Sequence, residues 1–184
     1  EYVYTINHPT ENKGIISQLL IDLSCSATFD PIVLPHAGGK PGYEGDFSHK
    51  GKKAIDFKMP IGTPVKVMRG GTVVKVEDSF EKYGATADFA RYSNHIIVMH
   101  PDGTFARYAN LKQKSAKVKA GDFVITGKIL ALSGNTGWTT EPHLHIEIYI
   151  PRPLVYQYIE TKFKIGSGHV YLFLKEGKPA TRKY

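Results

Sequence analysis

The sequence predicts an all-β protein, an antiparallel β sandwich or barrel-like domain. Three observations carry this reading. Short apolar and β-branched runs follow one another closely, with Gly-, Pro-, Asn- and Asp-rich turn signals between them. No segment has a sustained 3.6-residue apolar repeat. And from His143 to Ile150 the residues alternate without a slip: His143, His145, Glu147 and Tyr149 take one side, Leu144, Ile146, Ile148 and Ile150 the other. That period-2 pattern is the mark of a half-buried strand with its apolar face on a core.

In chain order, Tyr2–Ile6 and Ile15–Leu23 read as strands separated by a polar turn at residues 7–14. Residues 30–43, DPIVLPHAGGKPGY, carry three prolines and three glycines and read as loop, with His36 at the surface. A boundary is expected here, giving an N-terminal β decoration over 1–35, a main unit over 36–150 and a C-terminal β-hairpin with a basic tail over 151–184, packed on the same domain. Within the main unit, Pro64–Val76 reads as two β-rich runs around Gly70-Gly71, a hairpin signal. Asn94–Leu111 reads as a second hairpin, turning at Pro101-Asp102-Gly103. Residues 78–92 are the place for a short helix or an irregular loop, and 118–134 for Gly-punctuated short strands. Pro142 suits a strand start. Pro151-Arg152-Pro153 is expected to break that strand, and Val155–Ile165 with His169–Leu174 to form a hairpin around Gly166-Ser167-Gly168.

The 184 residues suffice for one domain with a real core, and 41% hydrophobic with 22% charged content is that of an ordinary globular protein. No run approaches the ~18 apolar residues of a transmembrane span. The start at Glu1 shows no basic n-region followed by an apolar stretch, which fits a removed leader or a trimmed start equally. The single cysteine, Cys25, excludes an internal disulfide and a Cys-based zinc site. The formal charge of +7 favours anionic surroundings: a cell-wall polymer, lipid headgroups or nucleic acid. The basic residues are scattered, however, without the aromatic–basic signature of nucleic-acid binding.

The chemistry is expected on the His143 strand. Two residues apart on a strand means one face, so both imidazoles of His143 and His145 enter the same space. Upstream, FSHKGKKAIDFKMPIGTPV supplies His49 and Asp56. Imidazole nitrogens with a carboxylate oxygen and no sulfur suit a divalent metal, and zinc better than magnesium or calcium. Three protein ligands leave a coordination position open, as in catalytic zinc sites.

Four stretches, SHKGKKAIDF, MPIGTPVKVMRGGTVVKV, NHIIVMHPDGTFARYANL and VKAGDFVITGKILALSGNTGWTTEPHLHIEI, occur in an order that resembles the lysostaphin-type (LytM-like) zinc endopeptidases. The resemblance covers roughly Tyr43 to Ile148. It implies a β-rich hybrid fold with a long open groove and the metal on its floor. It also implies zinc-dependent cleavage of peptide bonds in bacterial peptidoglycan by an exported protein, taken here as a monomer. His49, Asp56 and His145 resemble the family's zinc ligands, and His143 resembles its catalytic histidine. Two departures stand out. Six residues separate His49 from Asp56 where the short form of the motif has three, which makes His36 the fallback ligand. And Asn110 stands in YANL where a second catalytic histidine is expected, leaving a neutral donor for the oxyanion. Trp138 reads either as lining the groove or as covering the core edge, and Tyr108 as facing the site. The rival readings are a catalytically degenerate peptidoglycan-binding or hydrolase-regulating module, supported by Asn110, and a biotinyl/lipoyl-type barrel. The barrel leaves the His–Asp pair and the HLH run unexplained.

Overall fold

The computed structural model describes residues 54–152 and 155–159, together with the backbone of three strands at 32–33, 162–165 and 170–173. The strands are, in chain order, β1 (Ile32–Val33), β2 (Ala54–Lys58), β3 (Pro64–Lys66), β4 (Gly71–Glu77), β5 (Tyr83–Gly84), β6 (His95–Met99), β7 (Phe105–Ala109), β8 (Phe123–Val124), β9 (Ile129–Leu132), β10 (Gly137–Trp138), β11 (His143–Arg152), β12 (Val155–Tyr158), β13 (Lys162–Ile165) and β14 (Val170–Phe173). A short 3-10 helix at Ala87–Tyr92 is the one helix among the described residues. None there is long and apolar enough to cross a membrane. The expected strands at Tyr2–Ile6 and Ile15–Leu23 lie outside the described residues.

The main sheet runs β12-β11-β7-β6-β4-β8, and β2 also pairs with β11. β2 and β12 share one side of β11: β2 faces His143–Glu147 and β12 faces Tyr149–Arg152, while β7 takes the other side. A second layer, the β3–β9 pair, closes over the sheet. Phe57, Leu144, Ile146, Tyr108, Ala106, Ile96 and Val98 from the sheet meet Val65, Val67, Leu130 and Ala131 in one buried cluster. These are alternate residues of their strands, so the opposite face of β2, β11, β7 and β6 carries the other set. The main sheet is antiparallel throughout, as the sequence leads one to expect.

Several elements differ from expectation. The strand of His143 is buried along its whole length from His143 to Ile150, not on one face only. It is central, with paired strands on both sides. β3 and β4 do not form a hairpin; β3 pairs with β9, whereas β4 pairs with β6 and β8. Gly71 is required for close approach instead of a turn, since a Cβ there would lie 2.2 Å from the Met99 carbonyl oxygen. β11 continues through Pro151 to Arg152. Pro151 pairs only with β12, so its missing N–H removes no ladder bond on the other side. The β6–β7 hairpin turns where expected, with Gly103 at φ 80° and the Asp102 carboxylate accepting from the Thr104 amide at 3.0 Å and hydroxyl at 2.6 Å. Of the run expected as one hairpin arm, β12 pairs with β11, whereas β13 pairs antiparallel with β14.

Candidate metal centre

Register places the site. His145 on β11 lies directly opposite Asp56 on β2 and opposite Ala109 on β7. Both β2 and β11 send their apolar alternates, Ile55, Phe57, Leu144 and Ile146, into the core, so Asp56, His143 and His145 emerge together on the other face. One nitrogen or oxygen atom from each of these three residues lies within 4.8 Å of the others, the one such group of metal-binding side chains among the described residues. His145 Nδ1 is 2.9 Å from Asp56 Oδ1, and His143 Nε2 is 3.7 Å from Asp56 Oδ2. All three side chains are held by their strands and mostly buried, at 10–14% exposure.

The orientation of His143 is fixed from behind. Its Nδ1 lies 2.8 Å from the Glu141 carbonyl oxygen, which can only accept, so the proton sits on Nδ1. The Thr139 hydroxyl, 3.2 Å from the same nitrogen, donates to that carbonyl as well. The lone pair of Nε2 is thereby left facing Asp56. A backbone carbonyl that sets the tautomer of an imidazole is the usual outer support of a metal or proton-transfer histidine.

His145 is flanked by two carboxylates. Nδ1 meets Asp56, and Nε2 lies 3.9 Å from Glu147 Oε2. Burial disfavours the charged ring, but the interactions with Asp56 and Glu147 outweigh it and hold the pKa above the ordinary histidine value. Glu147, 3% exposed, is bound in turn by Arg107 on β7, whose Nη1 donates to Oε1 at 2.8 Å. Sequence periodicity puts Glu147 on this face but gives it no partner; Arg107 becomes its neighbour only through the register Glu147↔Arg107.

Of the other expected site residues, Tyr108 and Trp138 lie apart from this group, whereas Asn110 directly follows Ala109, the residue opposite His145. Asn110 adopts a left-handed backbone (φ 60°), which Asn tolerates better than most residues, and its amide donates to the Thr136 carbonyl oxygen at 2.7 Å. The residue thus ties the end of β7 to the loop before β11. Tyr108 does not face the site. It is fully buried on the core side of β7, where its hydroxyl oxygen accepts from the Met68 amide at 2.9 Å. Trp138 sits in β10 beside β5, its indole N–H donating to the Ala85 carbonyl oxygen at 3.0 Å. His49 and His36 lie outside the described residues.

The donor set fits zinc: imidazole nitrogen and carboxylate oxygen, no thiolate, with one imidazole tautomer fixed by a carbonyl. Lysostaphin of Staphylococcus simulans is 38% identical over 94 residues, which are 50% of this chain and 17% of lysostaphin. Peptidoglycan DD-endopeptidase ShyA of Vibrio cholerae serotype O1 is 37% identical over 95 residues, 52% of this chain and 19% of that protein. The chain thus spans about a fifth of the length of these relatives. Among solved structures, the antimicrobial peptidase lysostaphin from Staphylococcus simulans superposes with a TM-score of 0.50 at 27% identity, covering 71% of this chain and 52% of that one. Residues 50–156, more than half the chain and the whole of the β2–β11 site, match one family model, so the chain belongs to Peptidase family M23.

Proposed function

We propose that this chain is a zinc-dependent endopeptidase that hydrolyses peptide bonds in bacterial peptidoglycan, acting outside the cytoplasm at the cell envelope. The single observation that carries the reading is the convergence of Asp56, His143 and His145 on one buried face. The names of the relatives, a lysostaphin and a peptidoglycan endopeptidase, support the substrate class.

Asp56 and His145 would hold the zinc ion together with His49, and His143 would stand beside it. Bound zinc supplies a Lewis acid that polarises a carbonyl and acidifies water. The remaining work falls to the chain. His143 Nε2, with its lone pair exposed on the site side, takes the proton of the attacking water and returns it to the leaving nitrogen. The hydrogen bond from Nδ1–H to the Glu141 carbonyl stabilises the imidazolium formed in between. Asp56 and Glu147 fix the ring of His145. Asn110 has a second amide hydrogen beyond the one given to Thr136, and this can serve the oxyanion as a neutral donor.

The test separates ligand from base on one strand. His145→Ala should lose most bound zinc and all hydrolysis, whereas His143→Ala should keep zinc and lose hydrolysis. Metal content is measured on protein purified without added zinc, and hydrolysis as new amino groups released from purified peptidoglycan. Equal zinc loss in both variants would make His143 a ligand and refute its assignment as base. A wild type that releases no amino groups would favour a binding module.

A further inference from the structure

One imidazole on the site face is left unused by this scheme. His95 on β6 pairs with Ala109 on β7, and Ala109 pairs with His145 on β11. Residues directly opposite in antiparallel strands share a face, so His95, Ala109, His145 and Asp56 form one row across four strands. With strands about 4.8 Å apart, the backbones of His95 and His145 are about 10 Å apart, with only a methyl group between them. Ala109 itself is 2% exposed.

His95 has a fixed hydrogen-bonding sense. Its Nδ1 lies 2.8 Å from the Ser93 carbonyl oxygen, so Nδ1 carries the proton and Nε2 presents a lone pair. The ring is neutral at neutral pH: burial holds its pKa below the ordinary value. The Ser93 carbonyl and Glu77 oppose that shift, and Arg107 and Lys75 add to it. His95 is half-buried, and so are Ile97 beside it on this face and Arg107 across from Ile97.

We propose that His95 is a substrate-positioning residue, accepting through Nε2 a hydrogen bond from a backbone amide N–H of a peptide laid across Ala109 toward the His143–His145 pair. The proposal rests on the peptidase reading for the identity of the ligand. A neutral acceptor at this point selects a donor, which every peptide bond other than an X–Pro bond supplies. It cannot serve as the oxyanion donor, since an imidazole protonated on Nδ1 alone offers no hydrogen at Nε2. The role therefore differs from the one expected of a histidine at position 110.

The experiment uses binding without turnover. In the zinc-loaded His143→Ala background, soluble muropeptides prepared from purified peptidoglycan are titrated calorimetrically. A further His95→Ala change should weaken binding about three- to tenfold, the loss of one hydrogen bond. His95→Gln, whose carboxamide oxygen reaches the place of Nε2, should recover most of it. The 15N resonance of His95 Nε2 should move on addition of muropeptides in the His143→Ala protein itself, a readout that needs no variant at position 95. In the active protein, His95→Ala should raise KM by a similar factor and leave kcat within about twofold. Unchanged affinity in His95→Ala, an unmoved Nε2 resonance, or no muropeptide binding by the parent would each overturn the proposal. His95-dependent binding by a wild type that cleaves nothing would sustain it while refuting the hydrolase reading.

Discussion

Arg107→Met removes the cation from a carboxylate that has little other access to solvent. Glu147 is 3% exposed and Arg107 25%, and they meet at 2.8 Å on adjacent central strands. Breaking a fully buried pair by removing one partner costs about 3–5 kcal/mol, because the surviving charge stays desolvated. Here the arginine is a quarter exposed, so water can follow it in and part of that penalty is relieved. About 2–3 kcal/mol is expected, a shift of about 1–2 M in a urea midpoint at the usual slopes for small proteins. The measurement is made with a chelator present, so that metal binding does not add to native-state stability. Glu147→Met should cost less, since the arginine it strands is a quarter exposed and can be hydrated where the stranded carboxylate cannot. In the Glu147→Met background, Arg107→Met should cost under about 1 kcal/mol. If Arg107→Met alone costs less than about 1 kcal/mol, or costs the same in both backgrounds, the carboxylate is not sustained by this arginine.

Two further outcomes follow from buried polar groups away from the site. Tyr108→Phe deletes the acceptor of the Met68 amide inside the core and should destabilise by about 1–3 kcal/mol in the same urea assay, with an unchanged slope. His100, 3% exposed, is held neutral: burial depresses its pKa, Arg69 adds to the effect, and the Gly70 carbonyl and Asp102 oppose it. The unfolded chain therefore takes up a proton before the folded one, so stability is full above about pH 6.5 and falls as pH drops through that value toward the depressed folded pKa. Urea titrations at several pH values should show this decline, and His100→Gln should flatten it.

The alternation of HLHIEIYI is enough to place two imidazoles and Glu147 on one face, because the period of a strand is local. The β6–β7 turn is equally local: Pro101-Asp102-Gly103 carries its own hydrogen bonds. What the sequence hides is register. Arg107 meets Glu147 across 40 positions, and nothing near either residue announces it. The same holds for the row that brings His95 level with His145. Tyr108 lies two residues before Asn110, a spacing that on a regular strand would put both on one face. Asn110 has a left-handed backbone, which breaks the strand period at that residue. Counted from Ala109, Tyr108 falls on the core side. The doublet Gly70-Gly71 misleads for another reason: a glycine demanded by a neighbouring carbonyl looks the same in sequence as one demanded by a turn.

The loop before β11 is stitched to a segment some fifty residues upstream. The Gly137 amide donates to the Lys82 carbonyl, the Thr139 amide to the Gly84 carbonyl and the Trp138 indole to the Ala85 carbonyl, while the Thr136 hydroxyl receives the Asn94 amide. The two stretches, about 78–94 and 133–142, therefore behave as one exchangeable cassette. Transplanting either alone from a relative would leave the seam between them mismatched, and the mismatch would arrive at His143 through Thr139 and Glu141. Crossovers in a recombined domain should therefore be placed so that both halves of the seam travel together.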